Sequence, residues 1–419
     1  MIVPAMRTVF HALTLNFHQP PGNLEHLLEH DEWAAKELLW TIDRMPRTLW
    51  AYEDVARVHL SLSGTLLETL SHPAFQARTY GFVKCGDLLW QLQNRKIFEV
   101  LGTGFYHPVL PLIPPADRDE HLLRWQGLAQ HLFWRTNFQG FWPPEMGFCM
   151  ELIPLLKRLG YRYVLVDSQL VEPVGAMRWE EIRYRPHWAR HGGEEIIVVV
   201  RDRELSNAQQ SGMDAGWFMQ EVHQRTQHCE FPPLVTTATD GDNGGWFRNT
   251  NEQGNFWQVC YRDLLDRVRR GETEIQPAFI HEYLDTHGAA GEVTVNAGAW
   301  NTGWHHGKDF LQWTGSDAQK QALARIQEVS RDLETTSRRL REQLDGSPSL
   351  RSRLEDVRWR LLRAETSCNL FWGEAWVPKA QADLHEAARL LQPLQIQTGL
   401  TDSNPGGTPL DPGATAHAP

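Results

Sequence analysis

The stretch from Met150 to Ser168 reads MELIPLLKRLGYRYVLVDS. Its first half spaces apolar residues as one face of a helix does. Gly160 is positioned to end that helix, because glycine accepts the left-handed backbone geometry of helix termini. The second half is a run of aromatic and β-branched residues, which is typical of a buried strand. The stretch therefore predicts a helix followed by a strand, the unit from which parallel sheets are built.

Similar short apolar runs recur along the chain before residue 316. They occupy residues 11–17, 58–64, 98–104, 194–202 and 232–241, and a second amphipathic helix is predicted over 120–133. Alternation of apolar strands with helices predicts a parallel sheet covered by helices. About seven strands over about 300 residues favour a closed or nearly closed barrel over an open sheet.

The sequence changes character at Ser316. Apolar residues then follow helical spacing up to Gly346, and two further helices are predicted to begin near Pro348 and Pro378, since proline is favoured in the first helical turn. The remaining tail has few apolar residues and is predicted to be disordered. We therefore expect three regions: a barrel over 1–315, a helical bundle over 316–395 that contributes to the cleft, and a tail over 396–419.

Composition restricts the class of partner. With 41% hydrophobic and 22% charged residues, the chain is typical of a globular protein with a large core. Its net charge of -11 argues against nucleic acid or an anionic membrane as the main partner. The 18 tryptophans are more informative, because an indole offers a flat apolar face and one N–H donor, which suits a sugar ring. At least half of them are still expected to be core residues.

Several functional classes lack the motifs they need. Five cysteines are scattered without a CxxC motif, so no disulfide framework or zinc ribbon is predicted. No signal peptide and no run of 18 apolar residues is present, so we expect a cytoplasmic protein without a membrane partner. Neither a phosphate-binding glycine motif nor a GxSxG elbow occurs, so nucleotide binding and serine hydrolysis lack support.

Polar residues follow several of the predicted strands. In parallel α/β folds such residues line the site, because the carboxyl ends of the strands meet at one edge. These residues are His18, Gln19, Tyr106, His107, Trp142, Glu145, Asp167, Ser168, Arg201, Asp202, Arg203, Glu204, Asp240, Asp242 and Trp246.

Glu145 and Asp240 are the two carboxylates that we expect to be exposed on strand-end turns. Glu145 is unusual, since it lies in the aromatic, proline-rich turn GFWPPEMGF. Glycosidic cleavage needs two carboxyl groups around one bond, one ionised to attack the anomeric carbon and one protonated for the leaving oxygen. The alternative is that each carboxylate only caps the helix that follows it.

A metal site is a second alternative. Histidines and aspartates at strand ends could activate water, as in a metal-dependent carbohydrate hydrolase or deacetylase. No HxxxH or HxH spacing occurs around His18 or His107, and DGDNGG (240–245) does not match a calcium loop. The residues available for such a site are His11, His18, His107, Asp167 and Asp240.

Five segments together resemble the motifs of glycoside hydrolase family 57, a group of retaining enzymes that act mostly on α-glucans. They are HQP (18–20), GTGFYHPVLPLIP (102–114), WPPEMG (142–147), TDGDNGG (239–245) and AETSCNLFWG (364–373). The resemblance implies a (β/α)7-type distorted TIM-like barrel, followed by a C-terminal helical bundle that closes over the cleft. It implies that Glu145 is the nucleophile that forms a covalent glycosyl-enzyme, and that Asp240 is the general acid and base.

The resemblance also implies residues that bind the substrate, an α-glucan or oligosaccharide, without a metal or cofactor. Two histidines would hydrogen-bond sugar hydroxyls, tryptophans would stack on sugar rings, and Arg201 or Arg203 would hold Glu145 ionised. The implied binding residues are His18, Gln19, His107, Trp142, Arg201, Arg203, Asp242, Trp246 and Trp372.

The chain departs from the family's pattern in two places. Asp242 stands where many relatives carry Glu, and Cys368 with Asn369 stands where an Asp is usual. Neither change removes the two implied catalytic carboxylates. We therefore expect an enzyme of the α-amylase or 4-α-glucanotransferase type rather than a non-catalytic glucan-binding relative.

Overall fold

Seven parallel strands form a nearly closed barrel in the computed structural model, which describes residues 8–251, 253–300 and 307–399. In chain order the strands are β1 (Val9–Phe17), β2 (Val58–Leu62), β3 (Phe98–Leu101), β4 (Gly140–Phe141), β5 (Tyr163–Asp167), β6 (Val171–Pro173), β7 (His187–His191), β8 (Glu194–Arg201), β9 (Leu234–Asp240), β10 (Ile275–Pro277) and β11 (Val293–Val295). The barrel strands β1, β2, β3, β4, β5, β8 and β9 follow one another around the ring in chain order.

The ring closes between β3 and β4 through the backbone of Gly102. Its amide donates to the carbonyl of Gly140 at 2.9 Å, and its carbonyl accepts from the amide of Trp142 at 2.8 Å. Glycine is required at both positions because any side chain would clash with a neighbouring tyrosine, and not because the backbone angles are unusual. A Cβ on Gly102 would lie 2.3 Å from the ring of Tyr161, and one on Gly140 would lie 2.3 Å from the ring of Tyr163.

The predicted fold class is confirmed, and six of the barrel strands were predicted from their apolar runs. The seventh, β4, was missed because two residues carry no periodicity. The remaining strands lie outside the ring path. Strand β10 pairs with the start of β1, β7 runs antiparallel to β8, and β6 pairs with β11 in a separate small sheet.

Helices cover the barrel and continue into the C-terminal region. They are α1 (Asn23–His30), α2 (Glu32–Thr48), α3 (Gly64–Ser71), α4 (Pro73–Thr79), α5 (Cys85–Asn94), α6 (Pro115–Phe133), α7 (Ile153–Arg158), α8 (Trp179–Tyr184), α9 (Arg203–Gln210), α10 (Ala215–Thr226), α11 (Gly244–Arg248), α12 (Asp263–Arg270), α13 (Ile280–His287), α14 (Leu311–Thr314), α15 (Asp317–Arg339), α16 (Arg341–Leu344), α17 (Pro348–Ala364), α18 (Ser367–Phe371) and α19 (Val377–Gln397). None of these helices is long and apolar enough to cross a lipid bilayer.

Helices α15, α17 and α19 pack against one another around their own apolar core. Ser316 begins α15 with a capping box, in which its hydroxyl accepts from the amide of Gln319 while the Gln319 side chain accepts from the Ser316 amide. As predicted, proline lies in the first turn of both α17 and α19. The predicted tail belongs to α19 as far as Gln397, and residues 400–419 lie outside the described residues.

About half of the tryptophans that the structure describes are core residues, as expected. Of those that the structure describes, the buried ones are Trp125, Trp142, Trp257, Trp300 and Trp313. The exposed ones are Trp33, Trp50, Trp90, Trp134, Trp179, Trp217 and Trp372. Four more, Trp40, Trp188, Trp246 and Trp359, are partly buried and pack against the core, so nine of the 17 described tryptophans belong to it and the prediction is confirmed. The exposed ones leave aromatic surface available to solvent and ligands.

A buried polar cluster lies near the amino ends of the strands, at the opposite end of the barrel from the strand-end turns. The carboxylate of Glu99 accepts from the hydroxyl of Tyr163 at 2.9 Å and contacts Nδ1 of His281 at 2.6 Å. His59 lies 3.5 Å from the same carboxylate, and its Nε2 accepts from the amide of Ile280 at 3.0 Å. The cluster thus fastens the start of α13 to the base of the barrel.

The Glu99–His281 pair predicts a pH-dependent part of the stability. Burial alone would raise the pKa of Glu99, but the hydrogen bond from His281 and the charge of His59 outweigh it and lower that pKa below 4.5. The hydrogen bond to Glu99 raises the pKa of His281 above 6.5. The contribution of this ion pair to the free energy of unfolding is therefore greatest between pH 4.5 and 6.5. It is lost as pH falls through the lowered pKa of Glu99 or rises through the raised pKa of His281.

His281→Asn should lower the free energy of unfolding by about 1–3 kcal/mol at pH 5.5, with a smaller effect at pH 9, because it removes a charged hydrogen bond to a largely buried carboxylate. Urea unfolding at both pH values measures this difference. The matched control is His223→Gln, which breaks an exposed His–Glu274 pair of 2.8 Å and should cost less than about 0.5 kcal/mol. Equal losses in the two variants at every pH would contradict the assignment.

Candidate active site

A cavity of about 710 Å³ opens at the carboxyl ends of the barrel strands, on the side that faces the C-terminal helices. Its walls come from the barrel and from the segment around α18. The residues that line it are Asn16, His18, Gln19, Pro20, Asn23, His107, Glu145, Arg201, Arg203, Asn207, Gln210, Ser211, Asp240, Asp242, Asn243, Arg248, Trp300, Cys368, Phe371, Trp372 and Trp376.

Glu145 is held in the cavity wall by its backbone and by two side-chain donors. Its backbone is left-handed with φ of 57°, and that of Met146 after it is left-handed with φ of 49°. A non-glycine residue keeps this geometry only where its surroundings impose it. The indole N–H of Trp300 donates to Oε2 at 3.0 Å, and the hydroxyl of Ser367 donates to Oε1 at 2.8 Å. The amide of Trp300 also donates to the carbonyl of Glu145 at 3.1 Å. The carboxylate is therefore fixed rather than exposed, contrary to expectation, with 13% of its side chain accessible.

His107 and His18 form a stacked pair beside Glu145. Their ring centroids are 4.2 Å apart with planes 8° apart. Nδ1 of His107 lies 3.2 Å from the hydroxyl of Ser367, and since that hydroxyl donates to Glu145, Nδ1 carries the proton of His107. Burial lowers the pKa of His107 to about 3, so its Nε2 presents a lone pair. Within the described part of the chain, this Nε2 and both ring nitrogens of His18 have no hydrogen-bond partner.

Asp240 ends β9 and Asp242 lies two residues beyond it, and both contact residues at or just after the end of β1. The amide group of Asn16 donates to Oδ1 of Asp240 at 2.9 Å, and that of Gln19 donates to Oδ2 of Asp242 at 2.8 Å. Both pairs follow from the register of the barrel, because Asn16 and Asp240 are direct partners between β1 and β9. Like Glu145, Asp240 is partly buried rather than exposed.

Burial raises the pKa values of all three carboxyl groups, and the charge of Asp240 adds to this effect at Glu145 and Asp242. Burial and the charge of Asp240 raise the pKa of Glu145 to about 7, although the hydrogen bonds from Ser367 and Trp300 act in the opposite direction. Burial also raises the pKa of Asp240. Burial and the charge of Asp240 raise the pKa of Asp242 to about 7. The site can therefore hold a protonated and an ionised carboxyl group together near neutral pH, as acid–base catalysis requires.

The arginines do not contact Glu145, so their expected role is wrong. The guanidinium of Arg201 donates to Asp167 at 2.7 Å, and Arg203 lies 3.5 Å from the same carboxylate. The reason is strand register, since Arg201 and Asp167 are partners at the ends of β8 and β5. Both arginines still line the cavity, and the charge of Arg201 lowers the pKa of Asp240 against the effect of burial.

Of the three tryptophans assigned to sugar stacking, only Trp372 lines the cavity. Its side chain is exposed, so it is not a core residue of the bundle. Trp142 is fully buried and packs edge-to-face on Trp300 at 5.6 Å, which leaves no face for a ligand. Trp246 packs against the barrel core and does not line the cavity. The expectations for Trp142 and Trp246 are therefore corrected.

Several residues of the site were not predicted, and the following four are among them. Asn16, Trp300, Ser367 and Trp376 either hold a carboxylate or line the cavity. Ser367 lies inside the segment AETSCNLFWG that carried the resemblance, and Trp300 lies in the Gly- and Asn-rich segment NAGAWN. A tryptophan in such a segment could have indicated a residue of the site, whereas no feature of the sequence around Ser367 predicts that it donates a hydrogen bond to Glu145.

The histidines and acids do not form a metal-binding group within residues 8–251, 253–300 and 307–399. No set of three or more His, Cys, Asp or Glu side chains there has suitable geometry. His11, one of the residues considered for such a site, lies inside the barrel and contacts the hydroxyl of Thr237 at 2.8 Å. Asp167 is occupied by Arg201 and Arg203.

Comparison with known proteins points to one family. The family model described as Glycosyl hydrolase family 57 matches residues 23–296. Alpha-amylase from Pyrococcus furiosus is 32% identical over 287 residues, which cover 66% of this chain and 39% of that protein. 4-alpha-glucanotransferase from Thermococcus kodakarensis is 29% identical over 189 residues, which cover 45% of this chain and 26% of that protein. The chain thus matches well under two thirds of each relative's length.

Solved structures match the whole fold, and one of them serves as the example. The crystal structure of a GH57-type branching enzyme from the hyperthermophilic archaeon Pyrococcus horikoshii has a TM-score of 0.70 to this chain, with 15% sequence identity. The superposition covers 97% of this chain and 99% of the other. At this identity the likeness establishes the fold, barrel and helical region together.

Proposed function

The chain belongs to glycosyl hydrolase family 57, and we propose that it is a retaining enzyme that cleaves α-glucans and transfers the glycosyl group to water or to a sugar hydroxyl. One observation carries this proposal. Glu145 is held by Trp300 and Ser367 in the same cavity wall as Asp240, so a fixed carboxylate and a second carboxyl group with a raised pKa face one space.

In the first step Glu145 acts as the nucleophile and Asp240 as the acid. A carboxylate oxygen of Glu145 attacks the anomeric carbon, and the bond from that carbon to the leaving oxygen breaks. Asp240 gives its proton to the leaving oxygen, so the released sugar departs as a neutral alcohol. The product of the step is a glycosyl ester on Glu145 and an ionised Asp240.

In the second step Asp240 acts as the base. It takes a proton from water or from an acceptor hydroxyl, whose oxygen attacks the anomeric carbon as the ester bond to Glu145 breaks. Glu145 returns to its ionised form and Asp240 to its protonated form. Two inversions at one carbon retain the anomeric configuration.

The remaining wall residues are proposed to bind the sugars. The lone pair on Nε2 of His107 accepts a hydrogen bond from a sugar hydroxyl beside the scissile bond, and His18 offers two further ring nitrogens. Gln19, Asp242, Arg201 and Arg203 supply polar groups along the wall. Trp372, at the exposed edge formed by the C-terminal region, is placed to stack on a sugar ring.

The named relatives are an amylase, a glucanotransferase and a branching enzyme, so the acceptor is the open question. Incubation with maltoheptaose followed by chromatography separates the options. Shorter products alone indicate hydrolysis, longer linear products indicate transfer, and α-1,6-linked products by NMR indicate branching. No product from maltoheptaose or amylose would sink the proposal. The comparisons do not favour metal-dependent hydrolysis or a non-catalytic role.

We also propose a cytoplasmic location, as expected from the sequence.

Ser367→Ala should move the acid limb of kcat/KM to higher pH. The variant loses one of the two donors that keep the pKa of Glu145 down, and Glu145 reacts only when it is ionised. A hydrogen bond to a charged group corresponds to about 10- to 100-fold in rate, so we expect a loss of that size at pH 6 and a smaller loss at pH 8.

Initial rates on maltoheptaose across this pH range test the prediction. Ser337→Ala is the matched control, because its hydroxyl lies on α15 and has no hydrogen-bond partner in the part of the chain that the structure describes. A Ser367→Ala profile that overlays the control would show that the hydroxyl does not tune Glu145.

A further inference from the structure

A second buried polar cluster joins the barrel to the helical bundle, away from the cavity. It contains Asp117 and His121 on α6 and Glu365 at the end of α17, and each is at most 2% exposed. Nε2 of His121 lies 2.9 Å from Oε2 of Glu365, and Nδ1 of His121 accepts from the amide of Tyr106 at 3.3 Å. The ring of His121 therefore bridges a barrel turn and a segment of the bundle.

The hydrogen bonds assign the protons of this cluster. Since Nδ1 of His121 accepts, its proton is on Nε2 and is donated to Glu365. Oε1 of Glu365 and Oδ2 of Asp117 have no hydrogen-bond partner among the described residues. Burial and the charge of Asp117 raise the pKa of Glu365, and burial also raises the pKa of Asp117. A proton on Glu365 therefore removes one of two like charges that would otherwise be buried together.

The cluster is close in sequence to two residues that contact Glu145, namely His107 and Ser367. Tyr106 precedes His107, and Glu365 is two residues before Ser367. The two segments are joined again between these points, since the amide of Ser367 donates to the carbonyl of His107 at 3.1 Å and Pro108 forms a β-bridge with Thr366. His121 fastens the two segments at one end, and Glu145 contacts both at the other.

We propose that Glu365 is a positioning residue: through His121 it sets the bundle segment against the barrel turn so that Ser367 reaches Glu145. The inference rests on the proposed function, because it concerns the same nucleophile. Glu365 does not contact substrate, since it is buried outside the cavity wall. Its carboxyl group acts in the neutral form, as a hydrogen-bond acceptor for His121, and its proton relieves the repulsion from Asp117.

Because the Glu365 carboxyl group acts in its neutral form, two uncharged variants of similar size should differ strongly in activity. Glu365→Gln keeps an oxygen for His121 and adds no charge beside Asp117, so kcat and the pH profile should stay within about threefold of the wild type. Glu365→Leu cannot accept the hydrogen bond from His121. It should lower kcat at pH 6 by about 10- to 100-fold with KM nearly unchanged, and it should move the acid limb upward as Ser367→Ala does.

A double-mutant cycle separates positioning from general damage. If Glu365 acts through Ser367, then Glu365→Leu combined with Ser367→Ala loses no more activity than the worse single variant. A double variant whose loss of activity is the product of the two single losses would overturn the inference. A Glu365→Leu enzyme with the wild-type kcat and pH profile would also overturn it, as would a Glu365→Gln enzyme as impaired as Glu365→Leu.

Circular dichroism and thermal melting first establish that the variants fold. Should Glu365→Leu fail to fold, Glu365→Asp takes its place, because an acid one methylene shorter falls short of His121 and should show the same shift of the acid limb. An inactive wild type on maltoheptaose and amylose would overturn the proposed function. An active wild type with unaltered Glu365→Leu and Glu365→Asp profiles would overturn the positioning role alone.

Discussion

Glu145→Gln should abolish turnover of maltooligosaccharides, with kcat lowered by at least about 10⁴-fold, because an amide cannot form the glycosyl ester. The fold should be unaffected, since glutamine has the same shape and can still accept from Ser367 and Trp300 through its oxygen. Initial rates on maltoheptaose, with circular dichroism as the folding check, measure the effect.

Glu151→Gln is the matched control for this variant. Glu151 lies six residues further along the same segment and is exposed, so its rate should stay within about threefold of the wild type. A smaller variant, Glu145→Ala, adds a positive test. With an α-glycosyl fluoride and sodium azide it should form the β-glycosyl azide, because azide replaces the missing carboxylate in a single displacement. Retained turnover in Glu145→Gln would remove Glu145 as nucleophile.

Asp240→Asn should produce a loss that depends on the leaving group. Turnover of maltoheptaose should fall by about 10²- to 10⁴-fold, because its leaving oxygen needs a proton. Formation of the glycosyl-enzyme from an α-glycosyl fluoride should fall by less than about tenfold, since fluoride departs without protonation. The second step lacks its base, so the glycosyl-enzyme should accumulate after a burst of fluoride release.

Rapid-quench measurement of fluoride release and mass spectrometry of the intact protein detect that burst and the ester. Azide should speed the second step of Asp240→Asn and yield the α-glycosyl azide, the anomer opposite to that from Glu145→Ala. Asp317→Asn is the control, because Asp317 is an exposed residue of α15. Equal losses on glucan and fluoride would show that Asp240 does not protonate the leaving group.

Eight of the 21 residues that line the cavity were predicted from their positions after strands, and they include both proposed catalytic carboxylates. Glu145, Asp240, His18, His107 and Arg201 all come together there. The prediction succeeds because the carboxyl ends of parallel strands meet at one edge, whatever lies between them in sequence. It fails for Trp142, since a position after a strand does not say whether a side chain points to the cavity or to the core behind it.

The partners of Glu145 could not be predicted in the same way. Trp300 is 155 residues away in sequence and Ser367 is 222 residues away. Asp240 was inferred as a second carboxylate, but the arginines expected to hold Glu145 ionised pair with Asp167 instead. Strand register decides that pairing, and register depends on the whole barrel.

The sequence by itself determined the alternation of strands and helices, the helical region after Ser316 and the two carboxylates at strand ends. These features depend on periodicity and on residues a few positions apart, which a single sequence displays. The tertiary structure alone decided the closure of the barrel through the two residues of β4 and the donors to Glu145. It also decided the raised pKa values of the site, because burial and distant hydrogen bonds arise only when remote segments pack together.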